Sequence, residues 1–257
     1  MSIRSVQDYS ITEVAGLRSV PIYQSATGDW ARNPAWLKSV GLLNGIDSTF
    51  SYTTGIGSSG VRWVYKIIVQ PDDKLVIGGM FSGYNGEFRY NLIRLNANGT
   101  VDTAFVTESG SDSGFYAATV FDLAIQSDNK IIVCGNFTSY QSNSSSKIVR
   151  VNSSNGSYDS SFSVGTGFNN TVVKIKIQPD GNIIAIGSYS SYNGTTCNGI
   201  VRLTSTGSID NTFNIGSGFA GGSPTDITIQ SDGKILRSEE HTSELQSHHD
   251  LVCRLLL

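Results

Sequence analysis

Aspartate recurs at two fixed addresses in this chain, and these carboxylates are the residues whose type and spacing could do chemistry. Asp72, Asp128, Asp180 and Asp232 sit in short polar stretches reading PDD, SDN, PDG and SDG. Asp47, Asp102, Asp159 and Asp210 each stand three residues before a phenylalanine. A periodic carboxylate could ligate calcium as a hard oxygen donor, cleave a glycoside as one of a pair of acids, or anchor an ion pair. One aspartate per turn is a poor calcium cage, and an aspartate bonding its own backbone accounts for the first set. For the second set, Arg94, Arg150 and Arg202 precede Asp102, Asp159 and Asp210 by eight, nine and eight residues across a turn. That spacing predicts a cross-strand ion pair. The acids outside the repeated places, such as Glu87, Glu108, Asp112, Asp122 and Asp226, are the candidates for a glycosidase pair, and nothing in the sequence singles out two of them.

Other catalytic chemistry has little to work with. All three histidines, His241, His248 and His249, lie in the last 21 residues, as does Cys253. Upstream of them there is no Ser–His or Cys–His pair to build a nucleophile. Cys134 and Cys197 occupy different places in their repeats, so they form neither a disulfide ladder nor a metal pair, and Cys134 reads as a small core residue. GIGSSG (55–60) has the spacing of a dinucleotide loop but lies where GTGF (165–168) and GSGF (216–219) recur, which makes it an inter-strand loop. Glycosylation sequons such as those at Asn98, Asn136, Asn143 and Asn193 read as turns and strand ends. The expectation is of no enzyme activity, no catalytic residue, no metal and no cofactor.

The elements that place these residues come from a long internal repeat. Gln70, Gln126, Gln178 and Gln230 mark its period, 56 and then 52 residues twice. The first half of the unit reads IIVQPDDKLVIGGMFSGYNG (67–86), LAIQSDNKIIVCGNFTSYQS (123–142), IKIQPDGNIIAIGSYSSYNG (175–194) and, in part, ITIQSDGKIL (227–236). The second half reads LIRLNANGTVDTAF (92–105), IVRVNSSNGSYDSSF (148–162) and IVRLTSTGSIDNTF (200–213), with a shortened copy, LNGIDSTF, at 43–50. Period-two alternation predicts a first strand with one buried face. A hairpin turn closed by Asp with Gly or Asn follows. The next strand is almost continuously apolar, as a strand covered on both faces should be. Gly79, Gly135 and Gly187 recur in it and predict a bulge or a close backbone approach. A third strand, LIRL or its kin, turns at Gly99, Gly156 or Gly207 into a weaker fourth strand ending at Phe105, Phe162 or Phe213. No helix signal appears in the unit. The fold class expected is all-β: a partial, unclosed β-propeller of four-stranded antiparallel blades, with about three full repeats plus partial ones. Independent sandwiches would need about 100 residues each, twice this period.

The pattern I-x-I-Q-x-D-[GN]-K-I-x-x-x-G-x-F, followed by I-x-R-L-N-x-x-G-x-x-D-x-x-F, resembles the delta-60 repeat family, whose members are predicted β-propellers. The resemblance covers about residues 42–236. It implies a propeller fold and a non-enzymatic, surface-type role, and it supplies no catalytic residues. Closed propellers have four to eight blades, so further C-terminal blades are expected to be missing from this chain.

The organisation read from the sequence is a lead-in at 1–41, propeller repeats at 42–236 (units near 67–122, 123–174 and 175–226, with 227–236 partial), and a foreign tail at 237–257. In the lead-in, Asn33 and Pro34 predict a short helix near 34–40. Its W-x-R-x-x-x-W-L pattern is similar to N-terminal segments of phage structural proteins; the plainer reading is a segment packed on the first blade. The tail RSEEHTSELQSHHDLVCRLLL resembles a translated sequencing adapter over Arg237–Ser247, and is expected to pack poorly on the repeats. A natural C-terminal helix is the rival reading.

Removing the tail's two basic and four acidic residues leaves 16 basic against 17 acidic side chains. That balance offers no basic patch for a phosphate backbone, so nucleic acid is not an expected partner. No apolar run reaches membrane-spanning length, and the first twenty residues lack a secretory signal. The particle or cytoplasm of a producing cell is therefore expected over secretion. The function expected is a structural, adhesive or protein- or glycan-binding scaffold in a phage or virus particle. The alternative is a carbohydrate-active propeller enzyme with part of its site in the missing blades. Tyr84, Tyr140 and Tyr192 recur beside the loop after the second strand and are the candidate binding residues: exposed rings there could meet a glycan or protein, and blade-edge capping is the competing role.

Overall fold

The computed structural model describes residue 56 and residues 63–107, 118–216, 218–219, 224–230, 234–239 and 252–256, with the backbone alone for 237–239 and 252–256. Contacts divide the chain into Met1–Ser48 and Thr49–Leu257, and every described residue belongs to the second unit. The helix expected near 34–40 and the shortened repeat at 43–50 lie outside the described residues.

Each repeat folds into one small antiparallel sheet. The first holds β1 (Trp63–Val69) and β2 (Leu75–Met80), then a short ribbon of β3 (Gly83–Tyr84) with β4 (Glu87–Phe88), and β5 (Leu92–Leu95). The second repeats this with β6 (Thr119–Ile125), β7 (Ile131–Asn136), β8 (Ser139–Tyr140), β9 (Asn143–Ser144) and β10 (Ile148–Val151). The third has β11 (Val172–Ile177), β12 (Ile183–Gly187), β13 (Ser191–Tyr192), β14 (Thr195–Thr196) and β15 (Ile200–Leu203). The fourth consists of β16 (Pro224–Ile229), β17 (Ile235–Glu239) and β18 (Val252–Leu256). In every sheet the second strand is central: β1-β2-β5, β6-β7-β10, β11-β12-β15 and β16-β17-β18. The described residues are all-β, without a helix, in the unclosed propeller arrangement that the repeat predicts.

Two expectations are corrected. The fourth strand of each unit is reduced to a single bridge, Leu95 with Val101, Val151 with Tyr158 and Leu203 with Ile209. The chain cannot extend further because the next aspartate turns it. Asp102, Asp159 and Asp210 each accept the N–H two residues on, at 3.0, 3.0 and 2.9 Å. The other correction concerns the tail. β18 pairs along the whole of β17, from Ile235 opposite Leu256 to Glu239 opposite Val252. An edge strand presents unpaired N–H and C=O groups that any extended segment can meet, whatever its side chains. The register still differs from a repeat: Arg94 and Arg202 stand opposite Val76 and Ile184, whereas the equivalent Leu236 faces Leu255, and Arg254 is displaced by one residue.

The recurring strand glycine marks both a bulge and a close approach. The first strand of every sheet shifts register, between Val64 and Lys66, Val120 and Asp122, Val172 and Lys174, and Pro224 and Asp226. Gly79, Gly135 and Gly187 lie opposite those shifts, and a Cβ added there would stand 2.1, 2.0 and 2.1 Å from a backbone carbonyl oxygen. In the fourth sheet that place is held by Glu239.

The core lies between sheets as much as within them. Val76 of the first sheet packs in one cluster with Leu123 and Val133 of the second. Ile132 and Cys134 of the second pack with Ile175 and Ala185 of the third. Ile184 and Ile186 of the third pack with Ile227 and Ile235 of the fourth. The continuously apolar second strands thus serve two interfaces, one per face, which is why they do not alternate.

Candidate functional site

The polar residues of the repeat converge where one sheet meets the turn of the next. Arg150 donates from Nε to Asp159 at 2.7 Å and from Nη1 to Gln126 Oε1 at 3.1 Å, both within its own unit. The same Nη1 donates to the Ser205 carbonyl of the following unit at 2.9 Å. Gln126 Nε2 reaches that carbonyl too, at 3.0 Å. Arg94 repeats the device, donating to Asp102 at 2.9 Å, to Gln70 at 3.3 Å, and to the Ser153 and Ser154 carbonyls of the second unit. Each guanidinium also lies over the phenylalanine that ends its motif, 4.4 Å from the Phe105 ring centroid and 5.0 Å from that of Phe162. The amide after that phenylalanine joins in: Val106 N–H donates to the Asn155 carbonyl and Ser163 N–H to that of Thr206, each at 2.9 Å. The arginine, aspartate, glutamine and phenylalanine of one unit therefore staple the turn of the next.

A lysine completes the charge balance. Lys74 and Lys130 close on Asp102 and Asp159 at 2.8 and 2.9 Å. Burial alone would raise these carboxyl groups. Lys74, the Ala104 N–H and Arg94 outweigh it at Asp102, and Lys130, Ser161 and Arg150 hold Asp159 well below the usual carboxylate range. Asp210 is lowered by the Thr212 side chain and N–H, and by Arg202. The predicted arginine–aspartate pairs all form. The hairpin aspartates bond their own turns as expected: Asp72, Asp128 and Asp180 accept the N–H two residues on, at 3.4, 3.1 and 3.0 Å. Asp73 and Asn129 take the positive φ there, as Gly181 does.

The three candidate tyrosines are not on the surface. Tyr84, Tyr140 and Tyr192 are 3%, 0% and 1% exposed. Their hydroxyls donate to the carbonyls of Gly99, Gly156 and Gly207, the turn glycines of their own units. Burial pushes all three phenols up. Of the two roles open in the sequence, the structure shows capping and not exposure: each ring fills the space under its own turn, and the phenol holds the turn carbonyl that water would otherwise satisfy. The signal was in the sequence, since each tyrosine precedes its turn glycine by 15 or 16 residues.

Of the acids outside the repeated places, Asp122 is 1% exposed. It accepts the Leu123 N–H at 3.0 Å and the Ile175 N–H of the next sheet at 3.1 Å, and lies 3.6 Å from Lys66 of the sheet before. Asp226 accepts the Ile227 N–H at 2.9 Å and lies 3.3 Å from Lys174. Glu87 pairs with Arg89 at 3.1 Å on the surface. Glu108 and Asp112 lie outside the described residues. Sequence reasoning treated Asp122 and Asp226 as unrepeated. They share one place with Lys66 and Lys174, four residues before each repeat glutamine, where the sign alternates from unit to unit.

Beside the staple between the second and third sheets is a cleft of about 360 Å³, lined in part by Gln126, Asp128, Arg150, Gln178, Asp180 and Ser205. Gln178 Oε1 is buried there without a hydrogen-bond partner. The lining mixes these polar side chains with apolar groups such as Ile177 and Pro179. Such a surface can hold hydroxyl or peptide groups by hydrogen bonds. Among the described residues no three His, Cys, Asp or Glu side chains come together as a metal site. Cys134 and Cys197 are buried free thiols, both pushed up by burial. No helix among the described residues is long and apolar enough to cross a membrane.

Three stretches of the chain, 70–105, 126–162 and 178–213, match the model of a family described as a domain of unknown function (DUF5122) beta-propeller. Each begins at the repeat glutamine and ends at the motif phenylalanine, so the matched unit coincides with the stapling set. No curated protein matches the sequence. Solved structures with a similar fold include the extracellular domain assigned to the hybrid two-component system BT3049 of B. thetaiotaomicron, 15% identical over 68% of this chain and 18% of that one, with a TM-score of 0.41. Another is PorZ, an essential bacterial surface component of the type-IX secretion system of Porphyromonas gingivalis, at 13%, 70%, 25% and 0.43 respectively. A third is a protein assigned as a gluconolactonase, at 14%, 71%, 57% and 0.39. This chain spans 18% to 57% of the length of those three structures.

Proposed function

We propose that this chain is a non-enzymatic β-propeller scaffold that presents its hairpin-turn face to a protein or glycan, as a structural or adhesive component of a particle or cell surface. The observation that carries this reading is the fate of the repeat's charges. Arginine, lysine and aspartate at the repeated places pair within each unit, Arg94 and Arg150 go on to the turn of the next, and the aspartates are held ionised. An acid that serves as a proton donor needs the opposite setting, a raised pKa in a site open to substrate. What the fold leaves open is the cleft around Gln126, Gln178 and Asp180, whose amide and carboxylate groups suit hydrogen bonding.

The test is a glycan array and an immobilised panel of envelope proteins probed with the purified chain, followed by a sugar-release assay on every glycan retained. Binding without release, weakened by Asp180→Ala and Gln178→Ala, is the expected result. Release of reducing sugar with turnover would replace this reading with the carbohydrate-active one.

A further inference from the structure

The first sheet carries a face that every later sheet has covered. Ile67 is 52% exposed, whereas Leu123, Ile175 and Ile227 at the same place are each 2% exposed. Val64 and Val69 share that exposure, at 43% and 60%, whereas Val120 and Val172, the counterparts of Val64, are each 0% exposed. In the three covered cases the cover is the preceding sheet of the same repeat, which contributes Val76, Ile132 or Ile184 to the shared cluster. The cluster around Ile77, Phe81, Tyr84, Ile93 and Leu95 contains no residue of another sheet among those described. What fits an open face of this kind is one more sheet of the repeat.

The alternating charges say which sheet. Lys66, Asp122, Lys174 and Asp226 stand at one bulge position in four successive units. Where an aspartate-type sheet precedes a lysine-type sheet, at the junction of the second with the third, Asp122 accepts the N–H of Ile175, the covered isoleucine of the follower. The first sheet is of the lysine type, and Ile67 is its isoleucine. The fourth is of the aspartate type, with Asp226 at the place from which Asp122 acts.

We propose that the open face of the first sheet is the docking site for the fourth sheet of a second copy of this chain, in a junction that repeats the one between the second and third sheets. Asp226 of one copy then meets the Ile67 N–H of the other. A head-to-tail contact made at both ends closes a twofold ring of two chains with four sheets each, within the four to eight blades of closed propellers. Val64, Ile67 and Val69 offer roughly 250 Å² of apolar surface. With both partners and both junctions counted, the buried apolar total reaches on the order of 1,000 Å², the lower end for a specific interface.

Sedimentation equilibrium of the full chain tests this. A species of twice 27.5 kDa is expected. Ile67→Asp and Asp226→Lys should each shift the chain to a single 27.5 kDa species with an unchanged circular dichroism spectrum. If Ile67→Asp fails to fold, Val69→Glu takes its place, on a side chain 60% exposed. An equimolar mixture of the Ile67→Asp and Asp226→Lys proteins keeps one intact junction and should regain a two-chain species, at least tenfold weaker than the wild type. A wild-type monomer would mean that the face is covered from within the chain, and would overturn the proposal. So would a dimer indifferent to both variants, or a mixture that stays monomeric, the mark of two first sheets packed face to face.

Discussion

The junction between the second and third sheets and the one between the third and fourth share their arginine, aspartate, glutamine and phenylalanine, with Asn182 where the second unit has Lys130, and only the first of them is complete. Arg150 reaches its aspartate, its glutamine and the carbonyl of the next turn, and its side chain is 5% exposed. Arg202 reaches Asp210 at 2.7 Å and Thr212 at 2.9 Å, lies 4.8 Å from the Phe213 centroid, and is 19% exposed. No carbonyl of a following turn meets it among the described residues. Gln178 Oε1, the counterpart of the Gln126 oxygen that receives Arg150, is left buried without a donor. The arginine–aspartate pair therefore forms locally, within one unit. Its burial and its hold on the glutamine come from the neighbour.

The largest break in this comparison is predicted at the bulge glycine. Gly135→Val places a Cβ 2.0 Å from the Thr119 carbonyl oxygen and should cost at least about 3 kcal/mol, the upper end for overpacking. Denaturant titration would show it, and a loss under about 1 kcal/mol would mean that the bulge can open freely. Next is the complete staple. Asp159→Ala strands the buried Arg150 and should cost about 3 kcal/mol. Asp210→Ala, at the incomplete staple, should cost clearly less in the same titration. Tyr140→Phe removes one buried hydroxyl from the Gly156 carbonyl, for about 1 kcal/mol, without loss of any ligand bound at the surface. The smallest effect is the acid response. Asp102 and Asp159 have folded pKa values below their unfolded ones, so their contribution is present above about pH 4 and is lost as the pH falls through the folded values. Stability should decline below pH 4, and less steeply in Asp159→Asn than in the wild type.

The strands, the hairpin turns and the arginine–aspartate pairing were legible because each is local: alternation, turn chemistry and an eight-residue spacing all act within one unit. The two-sided burial of KIIVCG was legible for the same reason. The tyrosines were left between a binding and a capping role because their burial depends on a turn 15 or 16 residues away folding back over them. The staple to Ser205 joins residues 55 apart, so no window of one unit contains it. The Lys–Asp alternation was visible only by aligning the units on their glutamines. The tail's pairing on β17 was not legible at all, since backbone pairing at an open edge needs no side-chain signal.

The central claim is that the repeat's polar set exists to fasten one sheet to the turn of the next. A paired titration of Arg150→Lys and Arg202→Lys tests it most directly. Lysine keeps the charge for Asp159 or Asp210 but lacks the planar fork needed to reach aspartate, glutamine and turn carbonyl together. The account predicts that Arg150→Lys lowers the unfolding midpoint far more than Arg202→Lys does. Equal losses would contradict it, because the arginine would then be worth only its local ion pair.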